Sequence, residues 1–251
     1  MSGSPAFASE RKAIGTTGIR IRKDEEMEKM IEAVNVSYIY QTKYQKTKAL
    51  SEVSCSFERG KVYAITGKSG SGKSTFLSLL AGLDVPTEGT LNIEGEDMRK
   101  MNRDAYRLNR ASVIYQAFHL FPLLTVLENV MFPMQLKHVP VKEAKARAQE
   151  YLKKVDLPES LYKKMPSMIS GGEQQRVAIA RAIASGGEIL LADEPTGNLD
   201  SQNEKVIVEL LCRLAHEDNY AVIVVTHNEG VAAAADVVYG MSDGALSVVR
   251  E

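Results

Sequence analysis

Cysteine is scarce in this chain of 251 residues, which carries only Cys55 and Cys212. Two thiols do not make a disulfide framework of the kind that staples small secreted domains. Cys55 alternates with Val53 and Phe57, as on the inner face of a strand. Cys212 shares a helical pattern with Val208 and Leu211, so both read as buried free thiols that suit a reducing compartment. Long apolar runs are missing too. None approaches the roughly 18–20 residues needed to cross a bilayer, so a membrane role would have to use another chain. An excess of one charge sign is also absent. The 31 basic and 32 acidic side chains leave a formal net charge of -1, which favours neither DNA nor a charged lipid surface as a partner. Internal repeats and low-complexity tracts do not occur. What is present is ordinary for a globular protein, with 44% hydrophobic and 25% charged residues. The length fits one large domain, or one domain with a modest inserted lobe.

Residues 1–30 differ from the rest. The first thirteen are small and polar and contain Gly, Ser and Pro, and Arg20 opens a dense mix of both charges. With no apolar centre this is not a secretory signal, and Asp24, Glu25, Glu26 and Glu28 argue against an amphipathic targeting helix. The stretch is expected to be a disordered or extended tail, with Met27 or Met30 as alternative starts. From Ile31 the pattern becomes regular. Val34, Val36, Tyr38 and Tyr40 alternate like a half-buried strand, and residues 62–66 form a short apolar run. Residues 74–83 and 103–109 read as helices, and 90–93 and 112–115 as strands. The region 117–169 turns helical, with Thr125 and Glu128 spaced as a capping box and a second helix over 141–155. The β/α alternation then resumes with strands at 189–192 and 221–226 around a helix at 201–215. Asp243-Gly244 joins two final strands as a hairpin. The expected architecture is α/β, with a core from residues 31–116 and 170–251 and a helical subdomain at 117–169.

Gly67-Lys68-Ser69-Gly70-Ser71-Gly72-Lys73-Ser74-Thr75 fits the pattern G-x-x-x-x-G-K-[ST] without mismatch. A polyphosphate must be met by consecutive backbone N–H groups, and glycines permit that approach. The helix that follows adds its positive end. Lys73 can reach the β and γ phosphates, and the Ser74 hydroxyl can ligate Mg²⁺. Farther on, Ile189-Leu190-Leu191-Ala192-Asp193-Glu194 is an apolar strand ending in two carboxylates. Consecutive residues at a strand end point apart, so Asp193 can face the metal while Glu194 faces the γ-phosphate and an attacking water. Without the phosphate loop they would read as surface acids at a loop start.

The deciding stretch is Ile169-Ser170-Gly171-Gly172-Glu173-Gln174-Gln175-Arg176 and the apolar helix that continues it. A Ser-Gly-Gly turn at a helix start is either a plain N-cap or a second anion site. With these residues the chain resembles the nucleotide-binding subunits of ATP-binding-cassette (ABC) transporters, over nearly everything from Ile31 onward. The resemblance implies a P-loop NTPase (RecA-like) core with an N-terminal antiparallel β subdomain and an inserted α-helical subdomain. It also implies a head-to-tail dimer of two copies around two MgATP, in which Ser170, Gly171, Gly172 and Glu173 of one subunit meet the γ-phosphate held by the other. Two departures stand out: Ile169 replaces the family's usual Leu, and Glu173 its usual Gln. Gln116 resembles the glutamine that meets Mg²⁺ and the lytic water. His227 resembles the switch histidine on the γ-phosphate, whereas His119, His138 and His216 have no such setting and read as ordinary. Gly197-Asn198-Leu199-Asp200 resembles the loop that senses the partner's site, with Asp200 central. The adenine-stacking aromatic is Tyr40 by its distance from the phosphate loop, with Tyr44 as competitor.

The run Asp193-Glu194-Pro195-Thr196-Gly197-Asn198-Leu199-Asp200 most resembles one branch of the family, which serves lipoprotein release, macrolide and antimicrobial-peptide export, and cell-division signalling. That branch implies a separate membrane permease as partner and a peripheral place on the cytoplasmic face of a bacterial membrane. Phe118, Leu120, Phe121, Leu123, Leu124 and Val126 form either the groove for such a permease or the core of a small lobe. Competing readings are the ATPase of an importer and a soluble ABC ATPase. The coiled coil or second cassette of nucleic-acid-associated relatives is not seen, and no nucleic-acid partner is expected.

Overall fold

The computed structural model describes residues 29–41 and 45–251. Tyr44, Met27 and almost all of the expected tail lie outside the described residues.

Two sheets frame the molecule. Strands β1 (Lys29–Gln41), β2 (Lys46–Glu58), β4 (Glu88–Ile93) and β5 (Glu96–Asp97) form an antiparallel sheet in the order β2-β1-β4-β5. Strands β3 (Val62–Thr66), β6 (Ala111–Tyr115), β7 (Ile189–Asp193), β8 (Ala221–Val225), β9 (Val237–Ser242) and β10 (Ala245–Arg250) form the other, in the order β10-β9-β3-β8-β7-β6. Its pairings are parallel except for the β9–β10 hairpin. The α/β class, the N-terminal antiparallel sheet and the inserted helices agree with the expectation.

The parallel strands are apolar on both faces because both faces are covered. Val62, Ala64, Leu190, Ala192, Val222 and Val224 pack toward α5 (Gly171–Ala184), α6 (Ser201–His216) and the helical lobe. Their neighbours Tyr63, Ile65, Leu191, Ile223 and Val225 pack toward α1 (Lys73–Leu80) and the antiparallel sheet, with Phe57 and Phe76. A period of two thus serves two cores. Helix α1 stops three residues short of its sequence pattern, where Gly82 turns left-handed at φ 65°.

Strand β1 corrects the simple alternation. It begins at Lys29, and Met30 is already buried. At Asn35, φ is 50° and the pairing with β2 shifts between Ala33 and Val36. This bulge turns Ala33 and Val36 inward and leaves Val34 exposed. The cysteines are free but only half-buried, although burial of its sulfur pushes the Cys55 thiol up to about 12.

The inserted lobe holds α3 (Val126–Leu136) and α4 (Val141–Lys154), which pack with α5. The capping box forms: the Glu128 carboxylate accepts the Thr125 N–H at 2.8 Å, and the Thr125 hydroxyl accepts the Glu128 N–H at 3.3 Å. Asn129 is fully buried and braces the loop before α3. Its Oδ1 accepts the Phe121 N–H at 2.8 Å, while its Nδ2 donates to the carbonyls of Phe121, Leu124 and Thr125. Removing that amide strands buried backbone groups. Asn129→Ala is expected to lower stability by about 3 kcal/mol in a urea titration; an unchanged midpoint would remove Asn129 as the brace.

Candidate functional site

The ends of four parallel strands build one cavity. It has a volume of about 1000 Å³ and is lined by Tyr40, most of the phosphate loop, Gln116, Asp193, Glu194 and His227. That placement follows from topology, because β3, β6, β7 and β8 all point their C-terminal ends the same way.

The phosphate loop runs from β3 into α1, as the sequence requires. Gly72 caps the helix at φ 109°, and a Cβ there would stand 2.6 Å from the Ala49 carbonyl. At Gly67 a Cβ would stand 2.2 Å from the Met241 carbonyl. Lys73 is buried, and its Nζ donates to the carbonyls of Gly67 at 2.7 Å and Lys68 at 2.9 Å. Ser69, Gly70, Ser74 and Thr75 line the cavity, but Ser71 does not. Its side chain is buried beside Gly67, without a hydrogen-bond partner among the described residues.

The two carboxylates part as expected, and the backbone shows how. Glu194 adopts a left-handed conformation at φ 48°, uncommon outside glycine and a recurrent feature of functional sites. Asp193 stays with the phosphate loop, lining the same cavity as Lys73 and Ser74. Burial, with the Glu194 charge beside it, raises its carboxyl above the ordinary value, against the opposing pull of Lys73 and Ser74. Glu194 turns to the end of β8. Its Oε1 lies 2.7 Å from His227 Nδ1, and its Oε2 accepts from the Thr226 hydroxyl at 3.2 Å. Among the described residues no cluster of three or more His, Cys, Asp and Glu could hold a metal alone. Two hard oxygen donors, Ser74 and Asp193, suit a Mg²⁺ whose remaining ligands are phosphate and water.

Tyr40 reaches the rim, half-exposed. Its hydroxyl is 3.2 Å from Thr75 Oγ1, and its ring packs edge-on against Tyr38 at 4.9 Å. Tyr38 is itself tied to Asp84, whose hydrogen bond is the largest of the effects that push the phenol up to about 12. Gln116 lines the cavity but also bonds to Asn198, which its sequence setting did not indicate. His119, read as ordinary, lies in the cavity wall and meets Tyr115 edge-on at 4.9 Å. Lys48, Ala49 and the Asp243-Gly244 turn also line it; only the three-dimensional course of β2 and the hairpin brings them there.

Ser170, Gly171, Gly172, Glu173 and Asp200 do not line the cavity. Ser170 caps α5 in a second capping box, and Glu173 accepts the Ser170 N–H at 2.7 Å. Asp200 caps α6, accepting the N–H groups of Gln202 and Asn203. The backbone and side-chain hydrogen bonds from Asn203 hold its carboxyl below the usual carboxylate range. A Cβ at Gly172 would collide with Asn203 at 2.1 Å, whereas one at Gly171 would meet nothing closer than 3.6 Å.

Comparison with known proteins bears on the same residues. Residues 50–197 match the family model described as "ABC transporter". An uncharacterized ABC transporter ATP-binding protein of Bacillus subtilis, YclH, is 38% identical over 87% of this chain and 96% of its own length. The macrolide export ATP-binding/permease protein MacB of Neisseria gonorrhoeae is 40% identical over 86% of this chain, which spans only 34% of that protein. Among solved structures, the dimeric cassette MJ0796 superposes with a TM-score of 0.80 at 38% identity, covering 88% of this chain and all of that one. A second structure of MJ0796, a post-hydrolysis dimer bound to ADP and Pi, has the same TM-score at 37% identity, again covering 88% of this chain and all of that one. With a phosphate loop, Asp193, Glu194 and His227 gathered in one cavity, these relatives place the chain in the ABC transporter family as an ATP-binding and ATP-hydrolysing cassette.

Proposed function

We propose that two copies of this chain face each other head to tail around two MgATP and that their closing and opening drives a separate membrane permease in export or mechanical signalling. The observation that carries this reading is the glycine pair of the signature turn. Gly172 is explained inside its own subunit by Asn203, but Gly171 has room for a methyl group there. Its missing side chain therefore serves an approach from outside, and a helix N-terminus with Ser170 exposed on it suits the γ-phosphate of a facing subunit. The dimeric MJ0796 cassettes support self-association of such a chain.

In that assembly the residues divide the work. The loop amides and Lys73 hold the phosphates, and Ser74, Asp193 and Gln116 hold Mg²⁺, which supplies charge neutralisation when bound. Glu194 orients the attacking water and takes its proton, while His227 fixes the carboxylate and the γ-phosphate. Tyr40 carries the adenine, and Asp200 stands on the loop facing the partner. No helix among the described residues is long and apolar enough to cross a membrane. The apolar residues at the start of the lobe divide between core and surface. Val126 is fully buried and Leu120 packs on the core, while Leu123 is 86% and Phe121 39% exposed. Backbone bonds from Val126 and Leu127 to Lys164 and Tyr162 set the Met165–Met168 region beside them, where Met168 is 61% exposed. This face is the proposed permease dock, at the cytoplasmic surface of a cell membrane. The MacB likeness favours export as the direction.

Glu194→Gln is expected to bind ATP as the parent does, to lose about a hundredfold or more in phosphate release, and to elute as a dimer with MgATP. Parental turnover would count against Glu194. Gly171→Ala is expected to change stability by less than about 1 kcal/mol and to leave ATP binding to the single subunit intact. Its steady-state hydrolysis should fall about tenfold or more. A fully active Gly171→Ala protein would remove the head-to-tail assembly as the working form.

A further inference from the structure

We infer that Asn198 is a positioning residue for Gln116, fixing which end of its amide faces the metal. The contact has two points. Gln116 Nε2 donates to Asn198 Oδ1 at 3.1 Å, and Asn198 Nδ2 donates to the Gln116 backbone carbonyl at 3.1 Å. The second bond sets the first. A backbone carbonyl only accepts, so Asn198 must turn its nitrogen to it and its oxygen to the Gln116 side chain. That oxygen in turn accepts only from the nitrogen of Gln116. The side-chain oxygen Oε1, the one atom of this amide able to ligate a hard cation, makes no hydrogen bond among the described residues. Asn198 thus removes the flip ambiguity of a glutamine whose residue lines the nucleotide cavity.

The surrounding backbone makes the tether stiff. Gly197 N–H donates to the Glu194 carbonyl at 3.1 Å and Leu199 N–H to the Thr196 carbonyl at 3.0 Å, so Asn198 rides a tight turn directly after Glu194. Glu194 N–H is itself bonded to the Val225 carbonyl at 2.9 Å. Gly197 is part of the device, because a Cβ there would stand 2.7 Å from Gln116 Nε2 and push the amide off. The amide of Gln116 and the backbone of Glu194, which come from different strands, are thereby held to one short turn. The role of Asn198 is that of an outer partner that orients a metal ligand.

The inference rests on the reading of Gln116 as a metal contact, and the test separates the two. A fluorescent, non-hydrolysable ATP analogue is bound to the full chain in EDTA and then titrated with Mg²⁺. The parent, Gln116→Ala, Asn198→Ala and the double variant are compared. Binding without metal should be the same in all four, which also reports an intact fold. Gln116→Ala and Asn198→Ala should each raise the half-saturating Mg²⁺ concentration, by about tenfold for the loss of an outer partner. The double variant should match Gln116→Ala alone, because Asn198 acts through that side chain. If Gln116→Ala leaves the Mg²⁺ titration unchanged, the metal role of Gln116 is wrong and the inference falls with it. If Gln116→Ala shifts the titration but Asn198→Ala does not, or the two effects multiply in full, Asn198 does not position Gln116.

Discussion

The chemistry of this protein depends on the register of four parallel strands. Ile65 pairs with Val225, Val225 with Asp193, and Asp193 with Tyr115, so one line of residues crosses the sheet from β3 to β6. The next residue along each chain segment is Thr66, Thr226, Glu194 and Gln116, and these lead into the four loops of the cavity. Neighbouring strands lie about 4.8 Å apart, which sets the lateral spacing of the groups that must meet one triphosphate. A slip of β7 by a single residue would put Glu194 in the place of Asp193, or Asp193 in the place of Glu194, and turn its apolar side chains to the opposite faces. The double-sided core forbids that slip, since alternate residues of each strand are buried in different clusters. Packing therefore specifies catalytic geometry at a distance from the catalytic atoms.

The parts legible in the sequence were those where local chemistry dictates conformation. The glycine pattern of the phosphate loop, the capping box at Thr125, and the apolar strands ending in Asp193 and Thr226 all carry their own reasons. The illegible parts depend on contacts between distant segments. Asn129 collects its hydrogen bonds from a loop whose path the sequence does not reveal. His119 reaches the cavity because Phe118 and His119 both take left-handed conformations, at φ 60° and 47°. The bulge at Asn35 reverses the expected facing of Val34, a register event invisible to period-two counting.

The signature turn shows how one residue type can answer two demands. Gly172 is forced by a neighbour on α6 in its own fold, and Gly171 is not. The Asp200–Asn203 cap that crowds Gly172 also begins the helix after Asn198, so the N-terminal end of α5 and the loop beyond Glu194 share a structural support. Glu173, a departure from the usual family residue, is accounted for by the same economy, since its carboxylate closes the capping box that orders Ser170.

The phosphate loop is fastened from within. Lys73 ties down two of its carbonyls, the Ser71 carbonyl accepts the Gly244 N–H, and Gly67 and Gly72 press against the backbone of β9 and β2. Ordering of this loop is therefore settled when the chain folds, and little rotational freedom is left for a nucleotide to freeze. A polyphosphate entering such a cradle needs to redirect one ammonium group rather than shape a floppy segment, so its gain in affinity is not spent on organising the protein.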